Sequence, residues 1–321
     1  FSKLDLTKLQ ISLNQFPYFC FSEINIEEIP IKSEMRKELE IDQACNEFEI
    51  ILEKLIQSNI PKLYVELYPE FRKRTLKQFP KNASTIVTTH GYWAEDGAKL
   101  WIAEKKEQGS NLVISQHGGL FGSALIEQSE EHQIKISDRY FTWGWKDKNN
   151  KNIRPLPAIN LSPKKIKFIK QNDNGHILWI YGSAFSRYFK RMHSIPIGPQ
   201  CLEYLQDQLA FGKSVSEEVL KTLKLRFRPN VKFKWDEISY FEDAGLGKII
   251  DYTNVKLHKR MNGCRLCVST DNSTVFLETL AINFPTILFF NPAHWQLRPK
   301  AQPFYDELKH VGILHDSPES A

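Results

Sequence analysis

The sequence predicts an α/β protein with parallel sheets in two domains, and three stretches carry that prediction. Residues 267–290, CVSTDNSTVFLETLAINFPTILFF, read as strand, polar loop, helix, proline and strand. Residues 84–115 give strand, helix and strand, a βαβ unit of the kind that builds parallel sheets. Between them Asp147–Pro157 (DKNNKNIRPLP) is polar and proline-punctuated, as suits a connector, and the alternation restarts after it.

Taken in order, residues 1–31 are aromatic-rich and irregular. Ser33–Ser58 predicts one helix, with Ser33 as cap and Leu39, Ala44, Phe48, Ile51, Leu52, Leu55 and Ile56 as an apolar stripe. Residues 63–67 predict a short strand with Glu66 at its end, where ligands of open α/β sheets gather. Residues 84–89 form the next strand, 96–108 a helix stopped at Gly109, and 111–115 a further strand. That strand runs into Gln116-His117-Gly118-Gly119. Paired glycines there let backbone approach a ligand closely, or simply make a tight turn. His117 is placed to act as acid or base, or to be structural. Residues 134–145 predict another strand, whose tryptophans serve either the core or a sugar-stacking platform.

In the second half, residues 177–181 are a strand entering Gly182-Ser183, a phosphate-approach loop without a full glycine-rich fingerprint. Helices follow at 199–209 and 216–223. A strand over 224–229 would put Arg226 and Arg228 on one side, two guanidinium forks suited to phosphate, carboxylate or surface salt bridges. At 269–274 the polar run STDNST precedes a helix. A helix start exposes about four unpaired N–H groups and roughly half a positive charge, which can hold a phosphate. The Ser273 and Thr274 hydroxyls would add hydrogen bonds, and Glu278, four residues on, would reach a ribose hydroxyl from the same face. The same pattern also serves an ordinary capped helix. Residues 301–314 predict a closing helix and strand.

Composition narrows the function. The 321 residues are 41% hydrophobic and 25% charged, as in a soluble globular protein large enough for two cores. No apolar run approaches the ~18 residues of a membrane span. A net charge of +5, from 43 basic and 38 acidic residues, is far from the footprint of a nucleic-acid binder. Basic clusters at 164–167 and 221–234 suit a phosphate-bearing substrate, an anionic membrane surface or plain solvation. The five cysteines are Cys20, Cys45, Cys201, Cys264 and Cys267, a scattered set that fits a reducing cytoplasm. Cys264-x-x-Cys267 alone is a weak zinc signal, and Cys267 reads as core. No Asp-x-Asp pair marks a divalent-metal site.

Four motifs occur in order over roughly residues 60–320: Ile60-Pro61-Lys62-Leu63-Tyr64-Val65-Glu66, Gln116-His117-Gly118-Gly119, Ile136-Ser137-Asp138-Arg139-Tyr140-Phe141-Thr142-Trp143-Gly144-Trp145, and the segment Ser269 to Glu278. With them the chain resembles the surface-carbohydrate biosynthesis transferases first annotated in Leptospira, and its last motif looks like the donor segment of GT-B glycosyltransferases. More distantly it is similar to capsule transferases that use CMP-activated ulosonic acids such as Kdo or sialic-acid-like sugars. Arg228-Pro229 stands where their His-Pro motif is expected, a departure from that pattern.

The resemblance implies a GT-B-like α/β fold, two Rossmann-like domains with parallel sheets facing a central cleft. Residues 1–158 would form the acceptor domain and 159–321 the nucleotide-sugar domain. It implies a metal-independent glycosyltransferase of surface polysaccharide assembly, with a nucleotide sugar as substrate and no cofactor. The acceptor would be a glycan or lipid-linked glycan, and the setting cytoplasmic, with peripheral association at the inner membrane. Donor binding falls to Gly182, Ser183, Arg226, Arg228, Ser273, Thr274 and Glu278. Acceptor binding falls to Tyr92, Glu95, Gln116, Gly118 and Gly119, and catalysis to His117, Glu66 and Asp96. The alternatives are a CDP-polyol phosphotransferase on the same fold, a non-catalytic glycan-binding protein, and a UDP-sugar epimerase.

Overall fold

The computed structural model describes residues 3–12, 24, 26–27, 29–39, 45–158, 161, 171–182, 194–227 and 236–321. The chain is mixed α/β, with the described strands in two parallel sheets, one of four strands and one of five. It divides into two compact units, residues 1–113 and 114–321.

The first unit holds α1 (Lys3–Ser12), α2 (Ser33–Lys37), α3 (Glu47–Asn59), α4 (Tyr68–Gln78), β1 (Thr85–Thr88), α5 (Gly91–Ala94), α6 (Asp96–Glu107) and the start of β2 (Asn111–Ser115). The single helix expected over 33–58 is instead two. Asn46 starts α3 afresh, its Oδ1 accepting the Glu49 N–H at 3.0 Å. The expected apolar stripe is exposed at Phe48, Ile51, Leu52, Leu55 and Ile56, and no residue of α3 is buried.

The strand expected over 63–67 is also replaced. Lys62–Tyr64 is a 3-10 turn, and Lys62 O accepts N–H bonds from Val65 and Leu67. A buried ion pair accounts for the curl. Arg36 Nε meets Glu66 Oε1 at 2.7 Å and Nη2 meets Oε2 at 3.1 Å, while Lys32 N–H donates to Oε1 at 3.0 Å. The remaining guanidinium donors close the end of α3, reaching Gln57 O at 2.7 Å and Ile60 O at 3.0 Å. A straight strand would carry Glu66 away from these partners and leave a buried charge unpaired.

The second unit continues from β2 into α7 (Gln128–Ile136), β3 (Arg139–Trp143) and β4 (Ile153–Leu156). Residues 134–136, expected as strand, finish α7, and β3 starts only at Arg139. The polar stretch 147–157 is likewise more than a connector, because β4 pairs in parallel with β3, Tyr140 opposite Ile153. Pro155 is tolerated there because β4 lies at the sheet edge.

The second sheet comprises β5 (His176–Ile180), β6 (Leu223–Arg226), β7 (Cys264–Ser269), β8 (Thr286–Phe289) and β9 (Leu314–His315), every pair parallel. Its helices are α8 (Gln200–Ser214), α9 (Glu217–Thr222), α10 (Glu237–Asp243), α11 (Leu257–Met261), α12 (Thr274–Ala281) and α13 (Gln302–His310). Ser216 caps α9 and Asp236 caps α10. Alternation sorts the strand residues onto two cores. Trp179, Val268 and Phe289 pack with Tyr204, Phe211 and Phe241 on one face. On the other, Leu178 and Cys267 pack with Met261, and Leu288 with Phe276. Cys267 is therefore core, as the sequence suggests, with burial pushing its thiol up to about 12.

The ion pair in the first unit gives a testable pH dependence. Its Arg36 hydrogen bond holds the Glu66 carboxyl down at about 2, against an ordinary 4.5. A lowered carboxylate pKa stabilises the fold above the ordinary value and loses that contribution as pH falls toward 2. Glu66→Gln should lower Tm at neutral pH and flatten the acid limb between these values. Superimposable acid melting curves for the two proteins would count against the ion pair.

Candidate functional site

Strand order locates the site. From β5 the chain passes to β6 on one side, then crosses back to β7 on the other, so the sequence direction reverses between β5 and β7. In open α/β sheets such a reversal opens a crevice at the carboxyl ends of the two strands, where ligands bind. Here those ends carry Tyr181-Gly182 after β5 and Thr270-Asp271-Asn272-Ser273 after β7, with α12 starting at Thr274.

Ser273 is the N-cap residue of α12, yet its hydroxyl makes no capping bond. It donates to Asp271 Oδ1 at 2.6 Å instead. The positive pole of α12 is thus left without its usual side-chain acceptor, beside a buried carboxylate. The Thr274 hydroxyl accepts the Gly119 N–H at 3.2 Å and keeps its own proton to donate. Below the crevice, Gly182 N–H donates to Tyr204 Oη at 2.8 Å, Tyr204 Oη lies 2.7 Å from Thr270 Oγ1, and Thr270 Oγ1 donates to Ile180 O at 3.0 Å. A methyl added at Gly182 would lie 2.8 Å from both Asp271 Oδ2 and Tyr204 Oη, so only glycine fits.

The second glycine motif meets this loop. A methyl added at Gly119 would lie 2.4 Å from the Ser273 carbonyl oxygen and 2.7 Å from Leu277 Cδ1. Asn272 tightens the contact, its Nδ2 donating to Ser123 Oγ at 3.1 Å while Oδ1 accepts the Tyr305 hydroxyl at 2.6 Å. Arg298 fastens the next turn through Ala124 O at 2.7 Å and an ion pair with buried Glu130. His117 is exposed two residues before Gly119, on the loop whose Gly119 bonds Thr274 at the start of α12. These bonds between 116–130 and 270–305 all lie within the second compact unit, residues 114–321.

A family model described as LIC12162 family transferase matches residues 1–321. The chain belongs to this transferase family. No curated protein matches it.

Within this LIC12162-family chain the remaining candidates scatter. Gln116 is buried and fully used internally: Nε2 donates to Gly118 O at 2.8 Å and Phe121 O at 3.1 Å, and Oε1 accepts from Trp143 N and Trp145 Nε1, each at 2.9 Å. It shapes the loop that holds His117 and has no hydrogen-bonding capacity left for an acceptor. Trp145 is fixed by the same bond and by contact with Gly122, whose φ of +80° suits glycine. Gly118 is half-buried. Arg226 is buried at the end of β6, where Nη2 donates to Val255 O and Nη1 has no hydrogen-bond partner among the described residues. Glu278 is half-buried on α12, and burial raises its pKa. Ser183 and Arg228 lie outside the described residues.

In the first unit, Glu66 is held as an anion by Arg36, which suits it poorly to be a base. Asp96 Oδ1 accepts the Tyr64 hydroxyl at 2.5 Å and Lys99 Nζ at 2.9 Å. Burial acts to raise the Asp96 pKa, but these two bonds prevail and lower it. Burial and the same carboxylate push the Tyr64 phenol up to about 12. Tyr92 is buried in α5, and Glu95 is exposed at the N-cap of α6 without capping it.

The chain has crevice residues that local pattern did not single out: Tyr204, Asn272, Ser123 and Tyr305. Asn272 at least sits inside the STDNST run, whereas Tyr204 sits in an ordinary apolar stripe of α8. The docking contact is directly testable. Gly119→Ala should cost about 1–3 kcal/mol in urea unfolding, as overpacking against backbone does. Gly118→Ala meets only Thr274 Oγ1, at 3.6 Å, and should stay within about 0.5 kcal/mol of wild type. Equal costs for the two alanines would argue against the close approach.

Proposed function

We propose that this transferase is a metal-independent GT-B glycosyltransferase of bacterial surface polysaccharide assembly. Its substrates in this reading are a nucleotide sugar and a glycan or lipid-linked glycan acceptor, met in the cytoplasm at the inner face of the membrane. The observation that supports it best is the uncapped start of α12 at the β5/β7 strand reversal, with the His117 loop docked against it.

The chemistry follows from the groups. The donor phosphate sits at the first N–H groups of α12 and takes the Thr274 hydroxyl proton. Glu278, one turn further along, accepts a ribose hydroxyl. His117 takes the proton from the acceptor hydroxyl as its oxygen bonds to the anomeric carbon. The anomeric carbon–phosphate oxygen bond breaks, and the nucleotide leaves with the bonding pair, its charge stabilised by the helix pole.

Asp271 bears on the donor. A carboxylate beside the pole opposes each added negative charge on the leaving group. The single phosphodiester charge of a CMP-linked sugar is opposed less than the two charges of a pyrophosphate donor. The donor in this reading, taken from the family resemblance, is a CMP-activated ulosonic acid of the Kdo or sialic-acid type, which brings one charge to the pole at its phosphodiester and carries a second on the sugar carboxylate.

The test is a thermal-shift series with CMP, CDP, UDP, GDP and ADP, followed by CMP release from a CMP-ulosonate in the presence of lipid-linked glycan. CMP at a hundredfold excess over its dissociation constant should add about 2.7 kcal/mol of stability. His117→Ala should slow CMP release about 10²–10⁴-fold while leaving CMP binding intact. A response to CDP with transfer of a phosphoryl-linked polyol would replace this reading with a CDP-polyol phosphotransferase. Stabilisation by no nucleotide would leave a glycan-binding protein.

A further inference from the structure

Tyr204 makes no direct claim on a ligand. It is almost wholly buried on α8, packed against Tyr181 at a ring separation of 5.4 Å. Its hydroxyl nevertheless stands between the two strand ends that frame the crevice, and a count of protons fixes what it does there. The Thr270 hydroxyl has one proton, which goes to Ile180 O. The 2.7 Å contact between Thr270 Oγ1 and Tyr204 Oη must then carry the tyrosine proton, with threonine accepting. The Gly182 N–H, in turn, donates to the tyrosine oxygen.

The result is a one-way ring: Gly182 N–H to Tyr204, Tyr204 O–H to Thr270, Thr270 O–H to Ile180 C=O. It begins at Gly182, two residues past the end of β5, passes through the first residue beyond β7, and ends on Ile180, the last residue of β5. Each hydroxyl both donates and accepts, so the members strengthen one another. The Tyr204 and Thr270 side chains are buried, so losing either hydroxyl leaves the other short of a partner away from water.

We infer that Tyr204 and Thr270 are positioning residues that hold the Thr270–Ser273 loop, and through it the start of α12, in ligand-binding geometry. Thr270 is the only member on the loop itself, and it is held from both sides. Asp271 follows it directly and is locked under Gly182, which fixes the direction in which Ser273 delivers the chain to α12. Burial, and then the charge of Asp271, holds the Tyr204 phenol well above its ordinary value, so the ring keeps its proton at any working pH. The ligand consequence rests on the nucleotide reading above; the ring does not.

Two readouts separate the two. Backbone amide exchange reads the ring without any ligand. In Tyr204→Phe, which keeps the aromatic packing, the Gly182 amide and the peptide spanning 270–274 should exchange about tenfold faster, the size expected for one lost hydrogen bond. Thr270→Val should do the same, and Thr270→Ser, which keeps the hydroxyl, should restore protection. Because the groups act as one chain, Tyr204→Phe with Thr270→Val should be no worse than the more damaging single change. Ile177→Val, a methylene lost from the same core, controls for general loosening.

Affinity for CMP then reads the consequence, and should fall about tenfold in Tyr204→Phe and not in Ile177→Val. Unchanged Gly182 exchange in both single variants, or strictly additive effects in the double, would overturn the ring. Faster exchange with unaltered CMP affinity would overturn the positioning role. Absence of CMP binding by wild type, with the exchange pattern as expected, would sink the donor assignment and leave the ring standing.

Discussion

The Ser273 carbonyl oxygen faces a backbone with no room for a side chain, and that closeness governs the second unit. Gly119 can come so near only because it lacks Cβ. The approach lets its N–H reach Thr274 and lets Asn272 reach Ser123, and it seats the loop that carries exposed His117. None of these bonds is strong alone. Together they join stretches about 150 positions apart in sequence into one packed body. The crevice is thus a product of backbone fit before it is a product of side-chain chemistry.

A second constraint acts on charge. The start of α12 is a positive pole, and in an ordinary helix a serine in the N-cap place would quench it. Ser273 turns its proton to Asp271, so the pole is balanced by a neighbouring carboxylate across a short gap. A serine cap bonds its helix directly, and that bond is not made here.

Much of this was legible in the sequence where the signal is local. The strand at 111–115 and the succession from Cys264 to Phe289 follow directly from apolar runs, a polar loop and a proline. Both glycine motifs read as places of close approach, but not as approaching the same 271–273 loop, since nothing in either motif encodes its partner. Glu66 shows the opposite failure. Its alternating apolar neighbours imitate a strand, and only Arg36, thirty positions earlier, reveals a buried ion pair that curls the segment. Gln116 reads as a ligand contact from its place beside glycines, yet two of its side-chain hydrogen bonds are spent on its own loop and two on Trp143 and Trp145. Tyr204 was invisible for a plain reason: a tyrosine among core aromatics differs from a phenylalanine by one atom, and the use of that atom is tertiary.

Pro155 has a bearing beyond the crevice. Lying in β4, the outermost strand on its side of the sheet, it presents no N–H where a neighbouring strand would need a donor. A second polypeptide cannot continue the ladder past it without leaving a bond unmade. The polar, proline-bearing composition that marks this stretch in the sequence therefore works as a guard on the sheet's margin, one that keeps crowded copies of the protein from zipping together edge to edge.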